Sequence, residues 1–411
     1  MSQPAPSQSA PKYHVVEDLA GLLHPICAES FLAEDYGRTF VYVPGRPGKF
    51  AALLPWSVLN GILDQHRLEP PRLRLTREGK RISPERYLLY HADSRKNGAP
   101  IPRLDSAGLT RELRDGATLV LDNVDELHRP VRRLAESLER VFRVRVQVNS
   151  YAGWRLSHGF DLHWDDHDVF ILQIAGRKHW KIYGMTRPFP LARDVEPAEH
   201  PNDVLWEGQL EDGDLLYIPR GWWHVATPLN EPTLHLTVGI SNPTGADFLT
   251  WFTNRLREAE VVRQDIPHFK GADATHAFAE RLRQAMQAAW HPGLVDEYMA
   301  DLDRRGTPRP SFTLPWSATE DILPSGVWSV RWAGNRSVPV EMTADSIAVA
   351  VDGRRWSFAP EARPLLELLL QGRECTEDDL FRAAGELAPD VIREFVRELA
   401  ENGLVVVRAG A

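Results

Sequence analysis

Cysteine is nearly missing from this sequence: Cys27 and Cys375 are the only two in 411 residues. Two thiols so far apart supply no disulfide framework, which fits a reducing compartment. Long apolar runs are missing as well. With none near the roughly eighteen residues of a bilayer span, no membrane is expected as a partner. The amino terminus lacks an apolar export segment; M-S-Q-P-A-P-S-Q-S-A-P-K is rich in Pro and Ser and predicts a disordered leader over residues 1–12. Together these absences predict a cytoplasmic protein. Positive charge is in the minority, 48 Lys and Arg against 57 Asp and Glu for a balance of −9, which disfavours nonspecific nucleic-acid binding by the chain as a whole.

Apolar residues are plentiful, 43% of the chain, enough for true cores in two or three domains. The most informative stretch is G-F-D-L-H-W-D-D-H-D-V-F-I-L-Q-I-A-G-R-K-H-W-K-I-Y-G, from Gly159 to Gly184. His163 and Asp165 are two apart, so on an extended strand both side chains leave one face and can grip one ion. His224, closing G-D-L-L-Y-I-P-R-G-W-W-H from Gly213, offers a distant third ligand. Two imidazoles and a carboxylate with half an octahedron left open suit Fe(II) in oxygenases, because substrates and O2 need the vacant positions. Zinc is the competing metal. A lone H-x-D is common among 15 His, usually as a surface turn or a satisfied core histidine. Context argues for the metal: Gly213, Pro219, Gly221 and His224 fit the second cupin pattern, G-x5-P-x-G-x2-H, and the first pattern is reduced to a three-ligand H-x-D.

Val169 to Ile174 is an apolar run of strand type, turning at Ala175-Gly176-Arg177 into a strand on which Lys178, Trp180 and Ile182 share a face. Lys178 then points its cation into an apolar interior, which is costly unless an anion meets it. A dicarboxylate would be that anion. The competing reading is a lysine that snorkels to solvent.

The H-x-D-D, L-Q-I-A-G-R-K-H-W-K-I-Y and Y-I-P-R-G-x-x-H segments resemble the JmjC-type ribosomal oxygenases, a cupin-like group of Fe(II)- and 2-oxoglutarate-dependent enzymes. The likeness is strongest over residues 145–240. It implies Fe(II) on His163, Asp165 and His224, with 2-oxoglutarate and O2 as cosubstrates. It also implies that Lys178, fifteen after the first His, pairs with the distal carboxylate of 2-oxoglutarate. Thr237 in H-L-T then becomes a second cosubstrate contact, and Asn149 and Tyr151 line the pocket near the substrate. The sequence departs from its relatives at Trp164, where Tyr is usual, at Trp222 and Trp223, where smaller residues are common, and at Gly239, where some have a Ser that helps hold the substrate. These departures bear on the substrate, not on iron or cosubstrate.

The expected fold is mixed β and α: a double-stranded β-helix (cupin/JmjC) catalytic core over 13–243, a helical, dimerisation-type segment over 244–306 and a winged-helix-like domain over 307–411. Within the core, strands are expected over Thr39–Val43, Ala117–Leu121 and Val144–Tyr151, with helices over Phe50–Leu63 and from Pro130 to Phe142. Many short strands without strand-helix alternation favour a closed antiparallel structure. The segment R-L-R-L-T-R-E-G-K-R-I-S reads as a basic hairpin whose Arg74, Arg77, Lys80 and Arg81 are a solvated face or a site for an anionic partner.

Phe248, Trp251, Phe252 and Leu256, then Phe278, Leu282, Met286 and Trp290, repeat at helical spacing and are intramolecular core or a dimer face. The resemblance implies a homodimer built there. After the linker G-T-P-R-P-S come an Asp-Gly hairpin over Ser346–Phe358, three helices and a last strand. Although a winged helix suggests DNA, its last helix sets Arg393 and Arg397 against Asp390, Glu394, Glu398 and Glu401, so direct DNA binding is not expected. Its stripe of Val391, Ile392, Phe395, Val396 and Leu399 reads as core.

The resulting expectation is an oxygenase that hydroxylates a side chain, His or Arg, on a protein, plausibly a ribosomal protein. Within the resembling family, arginine-directed bacterial members tend to have Arg at the position of Lys178 and histidine-directed ones Lys, so the resemblance leans to histidine. N-methyl-lysine demethylation and hydroxylation of a small metabolite are alternatives of the same class. A non-catalytic cupin that binds a ligand and signals through its winged helix is the alternative of another class.

Overall fold

The computed structural model describes residues 15–91, 101–192, 194, 199–312, 314, 323, 326–336, 338 and 340–409. The expected leader over 1–12 lies outside them. The chain divides into two compact units between Asn242 and Pro243.

The first unit is built on two antiparallel sheets. The larger has eight strands in the order Val41–Val43, Leu215–Ile218, Asp168–Ala175, Thr233–Ile240, Val146–Gly153, Thr118–Leu121, Leu73–Arg77 and Lys80–Arg81. The smaller has three, Val204–Leu210, Lys178–Tyr183 and His224–Pro228. The chain crosses repeatedly between the two sheets, as in a double-stranded β-helix. Asp168–Ala175 lies in the larger sheet, its neighbour in sequence Lys178–Tyr183 in the smaller, and Leu215–Ile218 and His224–Pro228 repeat the crossing. Asp168–Ala175 is paired on both edges and buried on both faces, which is why its sequence is a continuous apolar run rather than an alternating one.

On one side of the larger sheet the helix Arg129–Phe142 buries Val131, Leu134, Ala135, Leu138 and Phe142 in one cluster with Val146, Val148 and Phe170. Burying such side chains stabilises by ~1.5–3 kcal/mol each. Pro130 sits in the first turn, where a missing N–H costs nothing, and Arg143 ends the helix in the left-handed conformation at φ 59°.

Several local expectations need correction. The helix expected from Phe50 starts at Trp56, because Pro55 is held extended as its N-cap; Phe50, Leu53 and Leu54 are buried in turns ahead of it. The strand at Thr39 is shortened to Val41–Val43. The basic hairpin forms, but Arg74 is paired with Asp122 at 2.9 Å and Arg77 with Glu112 at 2.8 Å, so half of its charge is spent inside the fold.

Gly213, in the turn before Leu215–Ile218, has φ +93°, and a Cβ there would overlap the carbonyl oxygen of Arg46. Gly213→Ala is expected to cost about 2 to 4 kcal/mol, from left-handed strain plus the backbone shift. Thermal unfolding would show it as a lowered midpoint, and an unchanged midpoint would refute the close approach.

In the second unit, Gly245–Arg255, Ala272–Ala289 and Leu294–Arg305 are helices. Trp251, Phe252, Leu256, Leu294 and Tyr298 form their core. Of the second aromatic stripe only Phe278 is buried, whereas Met286 and Trp290 are largely exposed. The carboxy-terminal part adds two three-stranded sheets and the helices Arg363–Leu369, Glu377–Ala384 and Pro389–Glu401. Thr376 and Asp379 close a capping box on the second of these. Ile392, Val396 and Leu399 are buried as expected of a core stripe, but Val391 is exposed. The helical segment and this part share one compact unit.

Candidate metal and cosubstrate site

His163 and Asp165 do not lie on a regular strand, contrary to the sequence reading. His163 makes a single antiparallel bridge to His224, with backbone hydrogen bonds of 3.2 and 2.7 Å in the two directions. That bridge, not strand alternation, brings the distant histidine to the H-x-D. The backbone N–H of Gly221 donates to the Asp165 carbonyl at 2.8 Å and pins the same loop.

One ligand atom from each of His163, Asp165 and His224 lies within 4.8 Å of the others, and Nε2 of His224 stands 3.6 Å from Oδ2 of Asp165. Each imidazole is oriented from behind. Nδ1 of His163 donates to the Asp161 carbonyl at 2.8 Å, and Nδ1 of His224 to the Trp222 carbonyl at 3.0 Å. Both Nε2 atoms are thereby left with lone pairs facing inward, the arrangement of metal-binding histidines. Burial, and then His163 beside it, push the His224 imidazole down to about 4, so it is neutral at physiological pH and ready to ligate. Burial drives the Asp165 carboxyl upward, but His224 and His163 outweigh it and hold the group below its ordinary value, as an anion. The donor set fits Fe(II): two imidazoles, one carboxylate and, among the described residues, no fourth protein ligand in this group.

The three ligands open into a cavity of about 390 Å³. Lys178, Thr237, Asn149 and Tyr151, the other four residues singled out in the sequence, all line it. Lys178 is 6% exposed, and no carboxylate pairs with it among the described residues. Burial lowers its ammonium to about 7. A cation buried without an anion is the feature that a dicarboxylate would complete. Asn149 accepts from the Asn123 backbone N–H at 3.0 Å through its Oδ1. Tyr151 stacks on His235 with ring centres 5.0 Å apart, and burial raises its phenol well above the ordinary value.

His235, in the same H-L-T as Thr237, also lines the cavity and is not among the residues expected from the sequence. It is buried, its Nδ1 has no hydrogen-bond partner, and burial followed by the nearby Lys178 charge holds its imidazole far below the ordinary value. The signal was available: alternation along Thr233–Ile240 that sends Thr237 inward sends His235 and Gly239 inward too. His167, Gln147 and Phe160 also line the cavity and were not singled out. The tryptophans that mark departures from the relatives do not line it. Trp222 packs against Phe40, Trp223 donates its Nε1–H to Thr186 at 2.8 Å, and Trp164 is buried.

Residues 124–248 match the JmjC domain family. The chain is 26% identical over 226 residues to the bifunctional lysine-specific demethylase and histidyl-hydroxylase NO66 of Drosophila mojavensis, covering 53% of this chain and 24% of that one. It is 38% identical over 133 residues to ribosomal oxygenase 2 of Rattus norvegicus, 30% of this chain and 29% of that one. The chain thus spans under a third of the length of these relatives. Among solved structures, the ribosomal oxygenase YcfD of Escherichia coli superposes with a TM-score of 0.56 at 18% identity, covering 93% of this chain and 98% of that one. The same protein solved with cobalt and 2-oxoglutarate gives a TM-score of 0.52. Residues 124–248 are thus similar to the JmjC domain family, in a fold that the chain shares with a ribosomal oxygenase.

Proposed function

We propose that the protein is an Fe(II)- and 2-oxoglutarate-dependent dioxygenase that hydroxylates a side chain, histidine or arginine, of a ribosomal protein. The observation that carries this reading is a three-ligand metal group and a buried, unmatched Lys178 lining one cavity. Iron with 2-oxoglutarate would supply the oxidation, the cosubstrate losing CO2 to become succinate, with one atom of O2 entering succinate and the other the substrate. His163, Asp165 and His224 hold the metal and leave room for exchangeable ligands. Lys178 orients the cosubstrate through its far carboxylate, with Thr237 beside it, and Asn149 and Tyr151 wall the cavity toward the substrate. The relatives' names support this class: one is a histidyl-hydroxylase and demethylase, the other a ribosomal oxygenase. We further propose a homodimer formed through the helices of 244–306, a tail that docks protein rather than DNA, and a cytoplasmic location.

Mass spectrometry of ribosomal proteins from cells with and without this chain tests the reading. A gain of one oxygen on a peptide present only with the chain is expected, and identical spectra would refute the substrate class.

A pH dependence follows from Lys178. Its folded pKa of about 7 lies below the ordinary 10.5, so between those values the unfolded chain binds more protons and the ligand-free protein gains stability as pH rises. The cosubstrate needs the charged form, so its dissociation constant should climb about tenfold per pH unit above pH 7. Calorimetric titration at pH 6.5, 7.5 and 8.5 checks the slope; a flat profile would mean that Lys178 does not receive the carboxylate.

A further inference from the structure

The strand Thr233–Ile240 turns His235, Thr237 and Gly239 into the cavity, and at the third of these there is no side chain. Its place is taken. A Cβ built on Gly239 would stand 2.9 Å from Cδ2 and 3.1 Å from Nε2 of His167, closer than real Cβ contacts allow or nearly so. The φ of Gly239 is not in the left-handed region, so what opposes a side chain there is the His167 ring and not backbone conformation. His167 is held in that space from its other side, where Nδ1 meets Oδ1 of Asp166 at 2.9 Å. With Nδ1 engaged by the carboxylate, Nε2 is the polar atom of the ring left over. It lies on the edge that faces Gly239, in the wall of the cavity that also holds His163, Asp165 and His224.

We infer that His167 and Gly239 are a matched pair that determines the substrate, the glycine making room for the imidazole and the imidazole presenting Nε2 to the substrate side chain. The inference rests on the proposed function and specifies it. A ring edge carrying one free nitrogen suits a substrate group that can hydrogen-bond to it, an imidazole or a guanidinium. It gives an aliphatic side chain nothing and leaves a polar atom unpaired against it. The side chain of His167 keeps 31% of its surface accessible, so it can be reached from the cavity. Gln147, the cross-strand partner of Gly239, whose amide donates to Asn149 at 3.3 Å, continues the polar wall.

The pair makes a prediction that neither residue makes alone. The substrate is the ribosomal protein fraction from cells lacking this chain, and the readout is the rate of oxygen gain on the modified peptide as the fraction's concentration varies. His167→Ala should lower the apparent specificity constant by about tenfold or more through loss of the polar contact. Gly239→Ala should lower it comparably by pushing the ring aside. In the double variant the added methyl meets no ring, so the two losses should not add and the double should match His167→Ala alone. Iron content and the dissociation constant for 2-oxoglutarate, measured by calorimetry, should stay within about threefold of the parent in all three, a control that general damage to the site would not pass.

If the parent oxidises the fraction and the single variants do so equally well, the pair is not a specificity device and the proposed function stands. Additive losses, or cosubstrate affinity falling in step with oxygen gain, would make the contact structural and overturn the inference likewise. A parent that consumes 2-oxoglutarate but oxidises nothing in the fraction would overturn the proposed substrate and this inference with it.

Discussion

Asp165→Ala is expected to abolish succinate formation from 2-oxoglutarate under conditions in which the parent protein is active. The carboxylate is the only anion in the ligand group, the other two members being imidazoles. Removing it leaves two neutral donors that must hold a dication without charge compensation. Even residues that only orient a ligand cost 10–100-fold in metal affinity or activity when replaced, so loss of the ligand itself should exceed about a hundredfold. The fold should survive, because Asp165 sits in a loop whose backbone contacts, the Gly221 N–H to its carbonyl and the His163–His224 bridge, do not use its side chain. Metal analysis of the purified variant beside a succinate assay decides the matter. Parental turnover by the variant would remove Asp165 from the metal group.

The meeting of His163, Asp165 and His224 was legible in the sequence because cupin spacing fixes residue types at both ends of the group, and Gly213, Pro219, Gly221 and His224 stand at the required intervals. What the sequence misrepresents is the means. Strand alternation would place His163 and Asp165 together on a regular strand, whereas the structure uses one bridge between a loop and the first residue of the strand His224–Pro228, a long-range pairing that leaves no local periodicity. Lys178 was legible for the opposite reason. It sits in a regular strand in which burial alternates strictly at 178, 180 and 182, so parity alone sends it inward.

Parity also reaches His235, two residues before Thr237 on the same strand, so its inward direction is carried by the sequence. His167 is different. It lies in a loop after the ligands, and its place in the cavity depends on the vacancy at Gly239, some seventy residues on, together with the carboxylate of Asp166. No pattern within either segment announces such a pair; only their approach in space does. The late start of the helix Trp56–Gln65 has a simpler cause. Phe50, Leu53 and Leu54 carry helical spacing because they are buried, and Pro55 then sets the boundary that spacing alone does not show.

Lys178→Ala is expected to keep its iron and lose its cosubstrate. In the folded protein the ammonium is inside the β-helix, over the Trp180 ring with Nζ 5.6 Å from the ring centre, and burial has already driven its pKa down to about 7. The protein therefore stores an unfavourable charge that a carboxylate at that end of the cavity would relieve, through a charge-assisted hydrogen bond in a medium of low dielectric. Truncation removes the contact and leaves the anion to be buried unmatched, which for pairs of this kind costs on the order of 2 to 5 kcal/mol. That is a rise of roughly thirty- to several-thousandfold in the dissociation constant. The His163, Asp165 and His224 group does not include the lysine, so metal content should be unchanged. Without ligand the variant should be no less stable than the parent near pH 7 and below, where a buried lysine held at low pKa is a liability rather than a support. Its cosubstrate affinity should also have lost the tenfold-per-unit decline with pH. Titration of 2-oxoglutarate into iron-loaded protein at two pH values reads all of this together. A parental dissociation constant with a parental pH slope would mean that the cavity receives its ligand elsewhere, and His235, buried beside Lys178 with Nδ1 unpaired, would be the next residue to replace.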